Sequence, residues 1–233
     1  VARGEDLLPS TPKHILLTRA MGHTEPVYAH LPLLFGTDGR KLSKRHGATA
    51  LSEYREAGFL PEAMFNYLAN LGWSLDGETT IFTKEQAIAA FDLANVSKNP
   101  AAFDPEKLAW MNGEYIRAMA PERFDELIRP WIEKDLGREL EPDEWDRFGM
   151  VSPLVQERTR LLPEAAEQVR FLFTDFESYD RVSWDKVMTK DGVAGVLDRA
   201  IEGLEAVDPW DAVHIEEEMR KLPAELEMGA AKV

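Results

Sequence analysis

From about residue 60 onward, apolar side chains recur at spacings of three and four, the period of a helix that buries one face. Met64, Phe65, Leu68 and Leu71 form one such stripe. Leu108, Met111, Tyr115 and Met119 form another, and Phe124, Leu127, Ile128 and Trp131 a third. The pattern continues in Val169, Leu172, Phe173 and Phe176, and again in Val193, Val196, Leu197, Ala200, Ile201 and Leu204. Helix-start chemistry punctuates these runs. Thr83 with Gln86 makes a capping box ahead of Ile88 and Phe91, while Asp104-Pro105 and Asp208-Pro209 each offer a carboxylate cap followed by a first-turn proline. A chain with this period is expected to be mainly α.

The first 50 residues read differently. Thr11-Pro12 has the form of a helix start, a hydroxyl cap followed by proline, and predicts a helix to about Met21. The run from Pro26 to Phe35 is too short and too rich in proline for a helix, and predicts a strand ending near Leu33. Residues 36–47 hold three glycines and four cationic side chains with almost nothing to bury, which predicts a mobile surface loop. A domain boundary is expected near Ala120-Pro121, and the charged segment from Glu133 to Asp146 reads as a solvated connection.

Composition narrows the function classes. With 233 residues and 44% hydrophobic content the chain can bury an ordinary core in one large or two modest domains. No apolar run approaches the ~20 residues that span a bilayer, and no apolar secretion segment follows the N-terminus, so a cytoplasmic protein without a membrane partner is expected. The absence of cysteine excludes disulfides and thiolate zinc sites, and no metal site is expected in the chain. A net charge of −15 argues against a nucleic-acid partner, but the charge is uneven. Residues 1–60 carry eight Lys and Arg against six Asp and Glu, leaving 19 against 36 in the remainder, and four of the five histidines (His14, His23, His30 and His46) fall in that first stretch.

The cationic loop is the most informative segment. Lys41-Leu42-Ser43-Lys44-Arg45 sets two lysines with two residues between them, flanked by glycines, just after the Pro32-Leu33-Leu34 strand end. Compact ammonium groups on flexible stems suit a triphosphate whose charge shifts as one bond breaks. A solvated basic loop is the plainer alternative.

These residues carry a resemblance. The pentapeptide resembles the KMSKS signature of class I aminoacyl-tRNA synthetases in its KLSKR form, and Lys41 to Gly47 is similar to that of bacterial-type glutamyl-tRNA synthetases. Arg3-Gly4-Glu5-Asp6 with Ser10-Thr11-Pro12 resembles the stretch before that family's last catalytic helix. Gly58-Phe59-Leu60-Pro61-Glu62-Ala63, Asn66-Tyr67-Leu68, Leu71-Gly72-Trp73 and Phe103-Asp104-Pro105-Glu106-Lys107-Leu108 resemble the segments after the loop. The order holds over residues 1 to about 120 and more loosely to the end.

The resemblance implies the end of a Rossmann-type α/β catalytic domain at residues 1–47, a helical stem-contact domain at 48–120, and a helical anticodon-binding region at 121–233 that stops short of its relatives. It implies ATP-dependent attachment of glutamate to tRNA(Glu) through glutamyl-adenylate, with ATP as substrate beside Mg2+, no zinc in this chain, and a monomeric enzyme. Lys41 and Lys44 would stabilise the phosphates, Lys44 more strongly, with Ser43 shaping the loop. Leu33 and Leu34 would face the adenine, or serve as plain core. Arg3 would hold the substrate glutamate, since a guanidinium fork grips a carboxylate at two points. Glu5 and Asp6 would neighbour the nucleotide and the tRNA end, or simply make local ion pairs. Arg158, near the family's anticodon-reading arginine, could stack on an unpaired base, or be a surface arginine. His46 belongs to loop structure rather than catalysis.

The sequence departs from the family in one respect. The first class I signature, of the His-Ile-Gly-His type, does not occur in these 233 residues, so the chain is expected to be a fragment, inactive by itself, of a full-length ligase. A noncatalytic tRNA-binding module derived from a synthetase would have let the loop decay. A glutaminyl-tRNA synthetase relative would be expected to end in β-barrels, whereas residues 121–233 read as helices.

Overall fold

The computed structural model describes residues 1–43, 50–175 and 179–225. They pack as two compact units, Val1–Thr174 and Asp175–Val233. Both are mainly helical.

The first unit opens with a small parallel crossover. Strand β1 (Ala2–Gly4) leads through a 3-10 turn at Glu5–Ser10 into helix α1 (Thr11–Ala20), which returns the chain to β2 (Ala29–Leu31). β1 and β2 pair in parallel with Arg3 opposite His30 and Gly4 opposite Leu31. The strand expected to end near Leu33 instead splits in two. Pro32 has no amide hydrogen to continue a ladder, and the next amide, of Leu33, donates to the Glu5 carboxylate at 3.2 Å. A separate strand, β3 (Leu34–Gly36), then pairs in parallel with β4 (Ala101–Phe103), tying the crossover region to the helices.

After β3 the chain does not float free. Gly36 N donates to Arg40 O at 2.8 Å, Leu42 N donates to Leu34 O at 2.8 Å, and Phe35 bridges Lys41 in antiparallel fashion. Gly39 takes φ of +72° at the tip of this turn. Residues 36–42 of the expected mobile loop are therefore a hydrogen-bonded hairpin, because the glycines close a turn. Lys44, Arg45, His46 and Gly47 lie outside the described residues.

The helices follow as α2 (Leu51–Glu56), α3 (Pro61–Asn70), α4 (Lys84–Ala90), α5 (Pro105–Ala118), α6 (Pro121–Leu136), α7 (Pro142–Arg158) and α8 (Leu162–Val169). Two expected caps form as read. Thr83 accepts from Gln86 N while Gln86 accepts from Thr83 N, and Asp104 accepts from the amides of Glu106 and Lys107. The stripes of α5 and α6 face the core, with Leu108, Met111, Ile116, Phe124 and Ile128 fully buried.

Only half of the expected α3 stripe faces the core, with Met64 buried and Leu71 packed against the same cluster. Ala63, Met64 and Tyr67 are buried, whereas Phe65 and Leu68 stand largely exposed. Two apolar lines run along this helix, and α5 selects the one carrying Tyr67, whose hydroxyl accepts from Asp104 N and donates to Asp104 O. Burial pushes the Tyr67 phenol up to about 12.

The core runs without a break from α3 and α5 into α6, α7 and α8. Asn112, fully buried on α5, fastens two distant loops by accepting from Leu60 N at 2.8 Å and donating to Arg160 O at 2.5 Å. Gln156 of α7 donates to Ile116 O and Met119 O, capping the end of α5.

The segment from Glu133 to Asp146 proves more structured than a solvated connection. It finishes α6, turns at Gly137 with φ of +69°, and starts α7. Arg138 donates to both carboxylate oxygens of Glu144 at 2.6 and 2.7 Å, and Leu140 is buried beneath.

The second unit holds α9 (Arg181–Val187), α10 (Val193–Glu205), α11 (Ala212–Met219) and α12 (Leu222–Glu225), and Arg199 of α10 ties α10 to α11 and α12 by pairing with Glu218 and Glu225. Asp208-Pro209 does not open a helix. α11 begins at Ala212, because Asp211 accepts from His214 N and supplies the cap. Phe176 of the stripe that begins at Val169 lies outside the described residues. Among the described residues no helix is long and apolar enough to cross a membrane.

Candidate active site

The four residues after Ala2 each hold one piece of a small polar surface. Arg3, on β1, donates from Nη2 to Thr11 Oγ1 at 2.7 Å, and its Nη1 lies 3.3 Å from His14 Nδ1. Its guanidinium carbon sits 5.3 Å from the centre of the Tyr28 ring. Gly4 lies close under the Asp6 carboxylate, and a Cβ there would stand 2.6 Å from Asp6 Oδ1 and push that side chain aside. Glu5 receives the Leu33 amide, and Asp6 Oδ2 receives Lys41 Nζ at 3.1 Å.

This brings the first lysine of the KLSKR loop onto the acidic turn that follows β1. Both partners are about half exposed, 58% for the Lys41 side chain and 47% for that of Asp6, so the pair is weak and exchangeable. Ser43 is exposed at the end of the hairpin. Leu33 and Leu34 are half-buried. The Leu33 amide is taken by Glu5 and the Leu34 carbonyl by Leu42 N, so these backbone groups support the hairpin. Beside Glu5 and His30 opens a cavity of about 500 Å3, walled further by Leu31, Pro32, Leu93 and Lys98.

Thr11, His14, Tyr28 and His30, which no motif in the sequence marks as site residues, surround Arg3. The Thr11-Pro12 pair predicts that the Thr11 hydroxyl caps α1. Instead its hydroxyl, on a residue only 6% exposed, serves Arg3 and stands 2.9 Å from His30 Nε2. The signal available was the concentration of histidines in the first quarter.

Arg158 is the last residue of α7, exposed and far from this cluster in sequence. Its neighbourhood is tied by hydrogen bonds. Thr159 is fully buried with its hydroxyl on Val155 O, and the Arg160 and Leu161 amides both donate to Glu164. Among the described residues no group of three or more His, Asp or Glu side chains could hold a metal ion.

Residues 1–110 match the family model of class I tRNA synthetases (E and Q), catalytic domain, and residues 123–233 match that of the anticodon binding domain. The chain belongs to the class I aminoacyl-tRNA synthetases of this group. Within it, the relatives are glutamate–tRNA ligases. That of Dehalococcoides mccartyi is 47% identical over 98% of this chain and 48% of its own length, and glutamate–tRNA ligase 1 of Caldanaerobacter subterraneus is 39% identical over 99% and 48%. The crystal structure of a glutamate tRNA ligase from Elizabethkingia meningosepticum, 31% identical, superposes with a TM-score of 0.75 over 100% of this chain and 49% of that one. The chain spans about half the length of the curated relatives it matches.

Proposed function

We propose that this chain is the part of a glutamate–tRNA ligase that carries the KLSKR loop and the helices that approach the tRNA. In the full-length protein a carboxylate oxygen of glutamate attacks the α-phosphorus of ATP, pyrophosphate leaves, and glutamyl-adenylate forms. A hydroxyl of the terminal ribose of tRNA(Glu) then attacks the acyl carbon, and AMP leaves. The observation that carries this reading is the contact of Lys41 with Asp6, which draws the signature loop onto the turn next to Arg3.

In that chemistry Lys41 and Lys44 stabilise charge on the phosphates, and Ser43 shapes the loop between them. Adenine packs against the side chains of Leu33 and Leu34. Arg3 holds a carboxylate of glutamate, and Glu5 and Asp6 border the nucleotide and the tRNA end. Magnesium would arrive with ATP, held by phosphate oxygens. The described residues provide no cluster to hold it by themselves, and no step is assigned to a protein-bound metal.

Residues 48–120 are read as the part that meets the acceptor stem and 121–233 as the part that meets the anticodon, where Arg158 contacts a base. The match of residues 123–233 to an anticodon-binding family supports the second assignment. A monomeric, cytoplasmic ligase is the form that goes with this reading. It is tested with purified full-length protein, ATP and tRNA(Glu). Pyrophosphate exchange that depends on glutamate and not on glutamine supports it, and no glutamate-dependent exchange rejects it.

A further inference from the structure

Two of the three guanidinium nitrogens of Arg3 are tethered by side chains from α1. Nη2 donates to Thr11 Oγ1 at 2.7 Å, and Nη1 lies 3.3 Å from His14 Nδ1. Arginine only donates, so His14 Nδ1 is the acceptor in this contact, which requires the ring to be neutral with its proton on Nε2. Nε of Arg3 is buried without a hydrogen-bond partner among the described residues. A buried donor in that state is costly unless another group meets it.

Thr11 is the better anchored of the two tethers. It is 6% exposed, and its oxygen also lies 2.9 Å from His30 Nε2 and 3.4 Å from Leu7 O. A hydroxyl has one proton and two lone pairs, so one lone pair serves Arg3 whether the proton points to Leu7 O or to His30. His30 stands opposite Arg3 in the parallel register of β1 and β2, so strand pairing and helix packing fix the same oxygen from two sides.

We propose that Thr11 is a positioning residue for the amino-acid substrate. It orients the Arg3 guanidinium so that the Nη1 and Nη2 hydrogens not taken by His14 and Thr11 are presented together to a carboxylate of glutamate, without Thr11 itself touching the substrate. This rests on the reading of Arg3 as the residue that grips glutamate.

The test uses the full-length enzyme in four forms: wild type, Arg3→Ala, Thr11→Val and Thr11→Ser. Thr11→Val keeps the shape and removes the hydroxyl. Its KM for glutamate should rise by about ten-fold, the order set by one hydrogen bond to a charged group, with the KM for ATP and Tm near wild type. Thr11→Ser should restore the glutamate KM. If Thr11→Val does not fold, Thr11→Ala reads the same split. A raised glutamate KM in Arg3→Ala with none in the Thr11 variants overturns the positioning role and leaves the grip intact. An unchanged glutamate KM in Arg3→Ala overturns the grip and the proposal with it. Equal losses in both KM values with a lowered Tm, unrescued by serine, would make Thr11 a packing residue and overturn the proposal.

Discussion

Lys41 Nζ stands 3.1 Å from Asp6 Oδ2, although the two residues lie 35 positions apart. The contact joins the first lysine of the signature loop to the turn after β1, and its exposure leaves the lysine free to exchange a carboxylate for a phosphate. Asp6→Asn should therefore leave Tm almost unchanged, because exposed pairs contribute little to stability. It should lower glutamate-dependent pyrophosphate exchange in the full-length enzyme. Lys44→Ala should lower the exchange rate ~10²-fold or more with a much smaller rise in the KM for ATP, as expected for a charge that acts in the transition state. Lys41→Ala should cost less. Wild-type exchange rates in all three variants would remove the loop and its anchor from the reaction.

Gly58 and Gly137 test how far backbone geometry and packing can be separated. Gly58 has φ of +88°, and a Cβ there would lie 2.4 Å from Pro163 Cδ and 3.0 Å from Leu162 N. Gly137 has φ of +69° with nothing within 4 Å. Gly137→Ala should cost ~1 kcal/mol, the strain of the left-handed conformation alone, and Gly58→Ala clearly more, ~2–3 kcal/mol, because α8 must also move. Denaturant unfolding of both variants measures the difference, and equal losses would refute the packing argument.

Acid stability should depend on Glu144. The Arg138 guanidinium, helped by the Glu141 amide, holds its carboxyl at about 2 against an ordinary value of 4.5. A depressed carboxyl contributes stability that is complete above the unfolded-state value and disappears as pH falls through the folded-state value. The contribution should therefore fade between pH ~4.5 and ~2. Glu144→Gln removes it, so the variant should be less stable at neutral pH and show a shallower loss of stability over that window. Parallel curves for variant and wild type would refute this assignment.

Arg158 should act through base discrimination. Arg158→Ala in the full-length enzyme should weaken selection among tRNAs altered at single anticodon positions by ~1–3 kcal/mol, leaving ATP binding unchanged. A phosphate contact would instead weaken all tRNAs alike and reduce the salt slope by ~1. Charging measured at two salt concentrations separates these outcomes. No loss for any tRNA would return Arg158 to the role of a surface arginine.

The sequence by itself determined what depends on near neighbours. Helical period placed α5 and α6 with their buried faces, and the caps at Thr83 and Asp104 formed as read, since a cap joins residues only two or three positions apart. The order of KLSKR and the segments around it carried the family. Tertiary structure decided whatever required a partner from elsewhere in the chain. It chose the Tyr67 line of α3 over the Phe65 and Leu68 line because α5 covers only one side. It split the expected strand because Glu5 takes the amide after Pro32, and it turned residues 36–42 into a hairpin. It withdrew the Thr11 hydroxyl from its cap and gave it to Arg3 and His30. Period and capping are written within a few residues, but a side chain's distant partner is fixed only when packing brings the two together and excludes the alternatives.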